Sequence, residues 1–265
     1  MNAHGKEGSG GLMDRCAALA DGWGRFFAPS GRAVAWLLLT TPAAMLAGLW
    51  LGSVWLPLLQ AAFFYPLFAG RLFQSRWRSA AGLALAWAAW TAVLAGGLSF
   101  WAPDWSGDSI LHARAYQEEM FTWVETGRGA EGDIRLFLPQ HALHLGLFAL
   151  LCLVSAGFLG LMLGAALMNY MSFYVGTLLH HALHTDVVLM MAWPPWAMCR
   201  VAGFILIACV LSAWTARRTG LAAVDLAPLP GTLAAGLSLI VADVLLKWWL
   251  AGYWQPMLKA STQLP

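Results

Sequence analysis

The chain has 265 residues, of which 60% are hydrophobic and 11% charged, and its net charge is +2. Soluble domains carry about 25% charged residues, so this composition excludes an ordinary soluble protein of the same length. So small a positive charge gives no reason to expect a nucleic-acid partner.

Several stretches are longer than the ~18 apolar residues that mark a spanning helix. They are rich in Leu, Ala, Gly, Met and Trp and lack strict alternation, which fits helices and not a β-barrel. The expected fold class is an all-α polytopic integral membrane protein, a helical bundle with the lipid bilayer as its surroundings.

Residues 1–32 read as a leader carrying Lys6, Arg15, Arg25 and Arg32. Leu12–Phe27 predicts a short helix that could lie in the membrane interface through Trp23, Phe26 and Phe27. No apolar core followed by a small-residue cleavage site marks a cleavable signal in it. The remainder, 33–265, reads as one helical transmembrane domain.

Ala33–Gly70 contains 38 residues without a charge. As one helix it would measure about 57 Å, against a hydrocarbon core of ~30 Å. It therefore predicts a helical hairpin turning near Trp50-Leu51-Gly52-Ser53. Arg71, Arg76 and Arg78 follow, and by the positive-inside rule they and the leader are cytoplasmic.

Ser79–Trp101 crosses outward. The hydrophilic segment 103–140 holds seven of the chain's 13 acidic residues and only three arginines. It reads as an external acidic loop, with an amphipathic helix over Ser109–Thr126 that ends at Gly127.

Leu145–Leu179 is 35 residues without Asp, Glu, Lys or Arg. It reads either as one long span continuing as an interfacial helix or as a hairpin turning near Gly157, Gly160 and Gly164. No polar residue lies between those glycines, which favours the single span and a bundle of six helices. The alternative count is seven. Trp193-Pro194-Pro195-Trp196 is a break at the membrane surface, suited to a helix that starts with Pro at its first turn. Gly231–Leu250 is the last span. Many of the 16 tryptophans fall at these boundaries and read as interfacial anchors: Trp77, Trp101, Trp105, Trp193, Trp196, Trp214, Trp248, Trp249 and Trp254.

Two features could carry chemistry. The words His141-Ala-Leu-His144 and His181-Ala-Leu-His184 bracket the long apolar run, and His180 precedes the second. Residues three or four apart share a helix face, and imidazole pairs with a carboxylate make zinc or iron sites. A divalent metal is therefore a candidate cofactor, with His141, His144, Glu118, Glu119, His180 and His184 as candidate ligands. The second feature is the pair Asp243 and Lys247 in the last span. At i, i+4 they can form an intramembrane ion pair, which would avoid leaving a lone charge in hydrocarbon. Gln60, Asn169 and Tyr170 read as interhelical hydrogen-bonding groups. Cys16, Cys152, Cys199 and Cys209 show no CxxC spacing and predict no disulfide framework.

Glu118-Glu119, Phe137-Leu-Pro-Gln-His141 and the later His180–His184 resemble, as short words, those of the CAAX-processing intramembrane glutamate proteases. That family carries Glu-Glu-x-x-x-Arg, then Phe-x-x-x-His, then a further histidine on spanning helices. Trp123 stands here where the family has arginine, and Pro139 lies inside the second word. The resemblance implies an intramembrane protease.

No P-loop, dinucleotide-binding glycine word, GxSxG or HExxH motif is present. The sequence thus supports a plasma-membrane (inner-membrane) protein of transporter-like or complex-scaffold type, with other membrane subunits as possible partners. The alternative is a membrane enzyme or redox subunit built around the outer histidines.

Overall fold

The computed structural model describes residues 7–28 and 30–264. The first six residues of the expected leader lie outside the described residues. Eleven helices follow in chain order, with no strand among the described residues: α1 Glu7–Phe26, α2 Ser30–Leu51, α3 Trp55–Leu72, α4 Trp77–Trp101, α5 Pro103–Ser109, α6 Ala113–Thr126, α7 Ile134–Ser155, α8 Phe158–His180, α9 Thr185–Met191, α10 Pro195–Arg218 and α11 Leu229–Ala260. The protein is an all-α polytopic membrane bundle, in which six helical segments are long and apolar enough to cross a membrane. These are α2, α4, α7, α8, the α9–α10 unit and α11.

The expected hairpin over 33–70 is present. Its turn lies at Gly52, whose φ of +113° suits glycine, and α3 is its shorter second arm of 18 residues.

The apolar run 145–179 is not one helix. α7 stops at Ser155 and α8 starts at Phe158, so the chain reverses within two residues. Ala156 and Gly157 both adopt positive φ, +50° and +98°. The tight hairpin exists without a polar loop because neighbouring parts of the bundle satisfy its backbone. Gly157 N–H donates to Cys152 C=O at 2.9 Å, and Tyr65 O–H donates to Ala156 C=O at 3.2 Å. Thr215 O–H donates to Leu153 C=O at 3.1 Å, and Ser155 Oγ accepts from Leu159 N–H at 2.9 Å. Buried helix ends need such partners, but the partners need not be local in sequence. Of the three glycines, Gly157 makes the turn. Gly160 lets α8 approach α7, since a Cβ there would sit 2.1 Å from Cys152 Sγ.

The hydrophilic segment differs in one respect from its expected shape. The helix over Ser109–Thr126 is broken at Ile110–His112, where His112 has a φ of +60°, leaving α5 and α6. α6 ends at Gly127 in the left-handed conformation, as expected. A strap of residues 127–133 then leads into α7, whose N-terminus is capped by the Asp133 carboxylate accepting Arg135 N–H at 2.8 Å.

Packing arranges four helices around a central space. α4 contacts α8, α8 contacts α7, α7 contacts α10, and α10 contacts α4, closing a ring. α2 and α3 lie against α4 and α8, α1 lies against α3, and α11 lies along α10. Within α1 and its exit, Phe27 is buried against Trp36 and Trp23 meets Tyr65 edge-on, so only Phe26 of the expected interfacial trio is exposed.

The two ends of the bundle differ in composition. One end gathers Arg25, Arg71, Arg76, Arg78, Arg217 and Arg218. There Trp77 Nε1–H donates to Asp225 C=O at 3.2 Å, and Asp225 N–H donates to Ser75 Oγ at 2.8 Å. The other end carries α5, α6 and the strap, together with α9 and the last turns of α11. Leu183 N–H donates to Ser261 C=O at 2.9 Å, and Trp254 Nε1–H donates to Met191 C=O at 2.9 Å. α11 is 32 residues long, about 48 Å. It therefore continues past the expected end at Leu250 to pack on this loop end. Trp101, Trp248 and Trp249 are exposed, as anchors should be, whereas Trp77 and Trp196 are buried donors to loop acceptors.

Candidate functional site

The polar centre lies inside the ring, toward the loop end. α11 contributes Asp243, fully buried, and Lys247, 4% exposed. A lone charge in this setting costs several kcal/mol, so each must be paired or neutral. Both are paired across helices and not with one another. Arg200, near the start of α10, grips Asp243 through two parallel hydrogen bonds, Nε–H to Oδ2 at 2.9 Å and Nη2–H to Oδ1 at 3.0 Å. Lys247 Nζ–H donates to Glu131 Oε2 at 2.6 Å. The expected pair Asp243–Lys247 is thus replaced by two long-range pairs. Both residues sit on the inward side of α11, but each has a closer and better-oriented partner from another segment.

Glu131 comes from the strap. Its second oxygen, Oε1, accepts Trp196 Nε1–H at 2.7 Å. Burial alone would raise this carboxyl. The positive charges of Lys247 and Arg200 and the two donated hydrogen bonds outweigh it and hold Glu131 below the usual carboxylate range. The strap is therefore tied into the bundle by an ionised side chain.

Phe137 of α7 organises the cations. Lys247 Nζ sits 3.4 Å from its ring centroid and the Arg200 guanidinium 5.0 Å from it. His141, one turn further on, stacks on the same ring with centroids 5.0 Å apart. The buried His141 Nε2 has no hydrogen-bond partner, and lies 3.6 Å from Asp243 Oδ2, beyond hydrogen-bond length.

These side chains head a cavity of about 120 Å³ at the centre of the ring. Its outer end is lined by Tyr116, Glu131, His141, His144, Arg200 and Lys247, and its inner end by Trp87, Phe148, Leu161, Gly164 and Ala208. Small residues on α4, α8 and α10 leave the space, because Ala84, Ala88, Gly160, Gly164 and Ala208 carry too little side chain to fill it. The chain matches no protein-family model, no curated protein and no solved structure.

The candidate metal ligands do not come together. The α7–α8 hairpin returns both histidine words to the same end of the bundle, yet the side chains diverge. His180 is exposed and meets Phe100 edge-on at 5.9 Å, His181 meets Phe121 at 5.8 Å, and His184 is exposed. Glu118 and Glu119 are exposed on α6, Glu119 at the cavity mouth. Among the described residues, no three His, Cys, Asp or Glu side chains stand close enough to hold a metal ion. Of the Glu-Glu and Phe-x-x-x-His words that suggested a protease, Glu119, Phe137 and His141 line the same cavity, Glu119 at its exposed mouth, while Glu118 is exposed outside it.

Sequence reasoning missed Glu131, Arg200 and Phe137 as members of the site. One signal pointed to Arg200. An arginine inside the first turns of an apolar helix needs an anion, and Asp243 is the one acid within the spans read from the sequence. Gln60 and Asn169, expected to bond between helices, pair with each other: Asn169 Nδ2–H donates to Gln60 Oε1 at 2.6 Å and Gln60 Nε2–H to Asn169 Oδ1 at 3.2 Å.

Proposed function

We propose that this multi-pass membrane protein is transporter-like, with the ring cavity as its substrate site and the loop end as the outer face. The observation that carries the reading is the cavity itself, a space of about 120 Å³ with charged residues at one end, held inside an apolar bundle. Buried ionisable groups within spanning segments mark substrate or ion pathways by default, and a pocket between helices with a few convergent polar groups is the usual form of a ligand site. The strap, with Glu131 bonded to Lys247, lines the outer end.

The orientation rests on charge. Nine of the 15 Lys and Arg residues fall at the arginine-rich end or in the leader, and nine of the 13 acids fall at the loop end or in the polar centre. By the positive-inside rule the arginine-rich end is cytoplasmic, and the loop end is external. The membrane would be the plasma or inner membrane.

Gly164 gives the test, because a Cβ there meets only Phe148 at 3.9 Å and otherwise faces the cavity. In a cysteine-free background, Gly164→Cys should react with a small polar thiol reagent from the outside of cells and from the cytoplasmic side of inverted vesicles. Reaction from one side only would leave a binding protein and remove transport.

A second reading, a membrane enzyme, is favoured by His141, whose unpartnered Nε2 faces Asp243 beside a cavity and could move a proton. Stoichiometric zinc or iron, or a haem absorption band, in detergent-purified protein would favour that reading over transport.

A further inference from the structure

The cavity is polarised along its length, and the cations at its head have N–H groups to spare. Along α8 it runs from Tyr170 to Gly160, about 15 Å. The acids at its head are each engaged at both oxygens, and Asp243 does not line the cavity. Both oxygens of Asp243 receive Arg200, and the oxygens of Glu131 receive Trp196 and Lys247. Arg200 commits two of its five N–H groups and Lys247 one of its three among the described residues. The buried Nε2 of His141 is also unpartnered. Spare N–H groups of Arg200 and Lys247 thus stand at the outer end, where they suit an acceptor, best an anion. Glu119 also lines the mouth, but it is exposed, where water and salt screen its charge.

The inner end offers no charged side chain to a ligand. Trp87, Phe148, Leu161 and Ala208 line a narrow apolar slot around Gly164. The volume of about 120 Å³ is comparable to the ~150 Å³ apolar cavity that accepts one benzene. It has room for a single slim chain or ring and not for a two-chain lipid.

We infer that the cavity binds a single-chain amphiphile with an anionic head, a carboxylate or a phosphate monoester. The head meets the free N–H groups of Arg200 and Lys247 with His141 beside them, and the tail lies along Gly164 toward Gly160. This rests on the reading of the cavity as the ligand site and adds the class of ligand.

The test uses the full chain in nanodiscs of phosphatidylcholine, with binding followed by the shift in thermal midpoint and by titration calorimetry. The probes are pentanoate, pentyl phosphate, pentanol, pentyltrimethylammonium and inorganic phosphate, with tails matched to the volume of the slot. Pentanoate and pentyl phosphate should bind and stabilise, while pentanol and pentyltrimethylammonium should not. Because an Arg200 variant could fail to fold, the tail is tested instead. Gly164→Leu fills the slot and should weaken pentanoate by about tenfold or more while keeping the unliganded midpoint. Binding of pentyltrimethylammonium in preference to pentanoate overturns the anionic head. Inorganic phosphate binding as tightly as pentyl phosphate, unaffected by Gly164→Leu, overturns the tail and leaves a free anion as ligand. Failure of every probe overturns the inference. The transport reading then survives only if Gly164→Cys still reacts from both sides.

Discussion

Arg200 and Asp243 stand 43 residues apart in sequence and meet through two parallel hydrogen bonds of 2.9 and 3.0 Å inside the bundle. The fork geometry of guanidinium against carboxylate explains why the pair tolerates burial. Both carboxylate oxygens are satisfied at once, and the guanidinium spreads its charge over a plane. It also joins α10 to α11, the two helices on either side of the last turn at the arginine-rich end.

Breaking that pair should be costly. Asp243→Asn leaves a buried guanidinium without its anion, and Arg200→Lys replaces a planar fork with a point charge. Removing one partner of a buried pair costs about 3–5 kcal/mol. Both variants should give a lower thermal midpoint and lower folded yield in detergent, with Asp243→Asn the worse. Unchanged midpoints for both would show that the pair contributes nothing to the fold.

Glu131 provides a pH test. Its folded pKa lies below the ordinary carboxylate value, held there by Lys247 and Arg200 against the cost of burial. The stabilisation is therefore complete above the unfolded value of about 4.3. It is lost as pH falls through the lower folded value. Between pH 7 and 5 the midpoint of the native protein should be insensitive to this group, and below about 4.3 it should fall more steeply than that of Glu131→Gln. Parallel curves for the two proteins would mean that Glu131 does not titrate in a folded environment of its own.

Topology can be read by thiol labelling in cells. With the native cysteines replaced, Ser109→Cys and Thr185→Cys should both react with an impermeant reagent from outside, because the α7–α8 hairpin brings residues 103–133 and 181–194 to one end. Arg218→Cys should react only after lysis. Labelling of Ser109→Cys without Thr185→Cys would contradict the hairpin. Labelling of Arg218→Cys alone in intact cells would invert the orientation.

The reciprocal amide pair Gln60–Asn169 should be coupled. Either residue changed to Leu leaves its partner's amide buried and unpaired, at about 1–3 kcal/mol. The double Leu variant should cost less than the sum of the two singles, since no orphaned amide remains. Additive midpoints would place the two amides apart.

The helices were legible because they depend on local information. Uncharged runs longer than a bilayer is thick, broken by Gly52 or by Pro194-Pro195, define spans and their ends with little help from tertiary structure. The turn at Ala156–Gly157 was legible only as the less favoured alternative to a single span. Its backbone groups are satisfied by Tyr65 and Thr215, which lie 91 and 62 residues from their acceptors, so the missing polar loop was a misleading signal. The site followed the same division. Spacing on α11 identified Asp243 and Lys247 as charges needing partners, but spacing can nominate only neighbours on the same helix. Lys247 finds its anion 116 residues away on the strap, which no periodicity reveals. The two histidine words looked alike, yet only the first, through His141 and His144, lines the cavity, because His180 and His184 belong to the end of α8 and the linker after it, where they are exposed.

The central claim is that the strap between α6 and α7 is part of the membrane-embedded site through the bond from Lys247 to Glu131. A double-mutant cycle with Glu131→Gln and Lys247→Met, read by unfolding of the purified chain in nanodiscs, tests it most directly. The account predicts that each single change destabilises the protein and that the double change recovers part of the loss, with a coupling of about 0.5–3 kcal/mol. Effects that add within about 0.3–0.5 kcal/mol would mean that the two side chains do not meet, and would contradict the site as described.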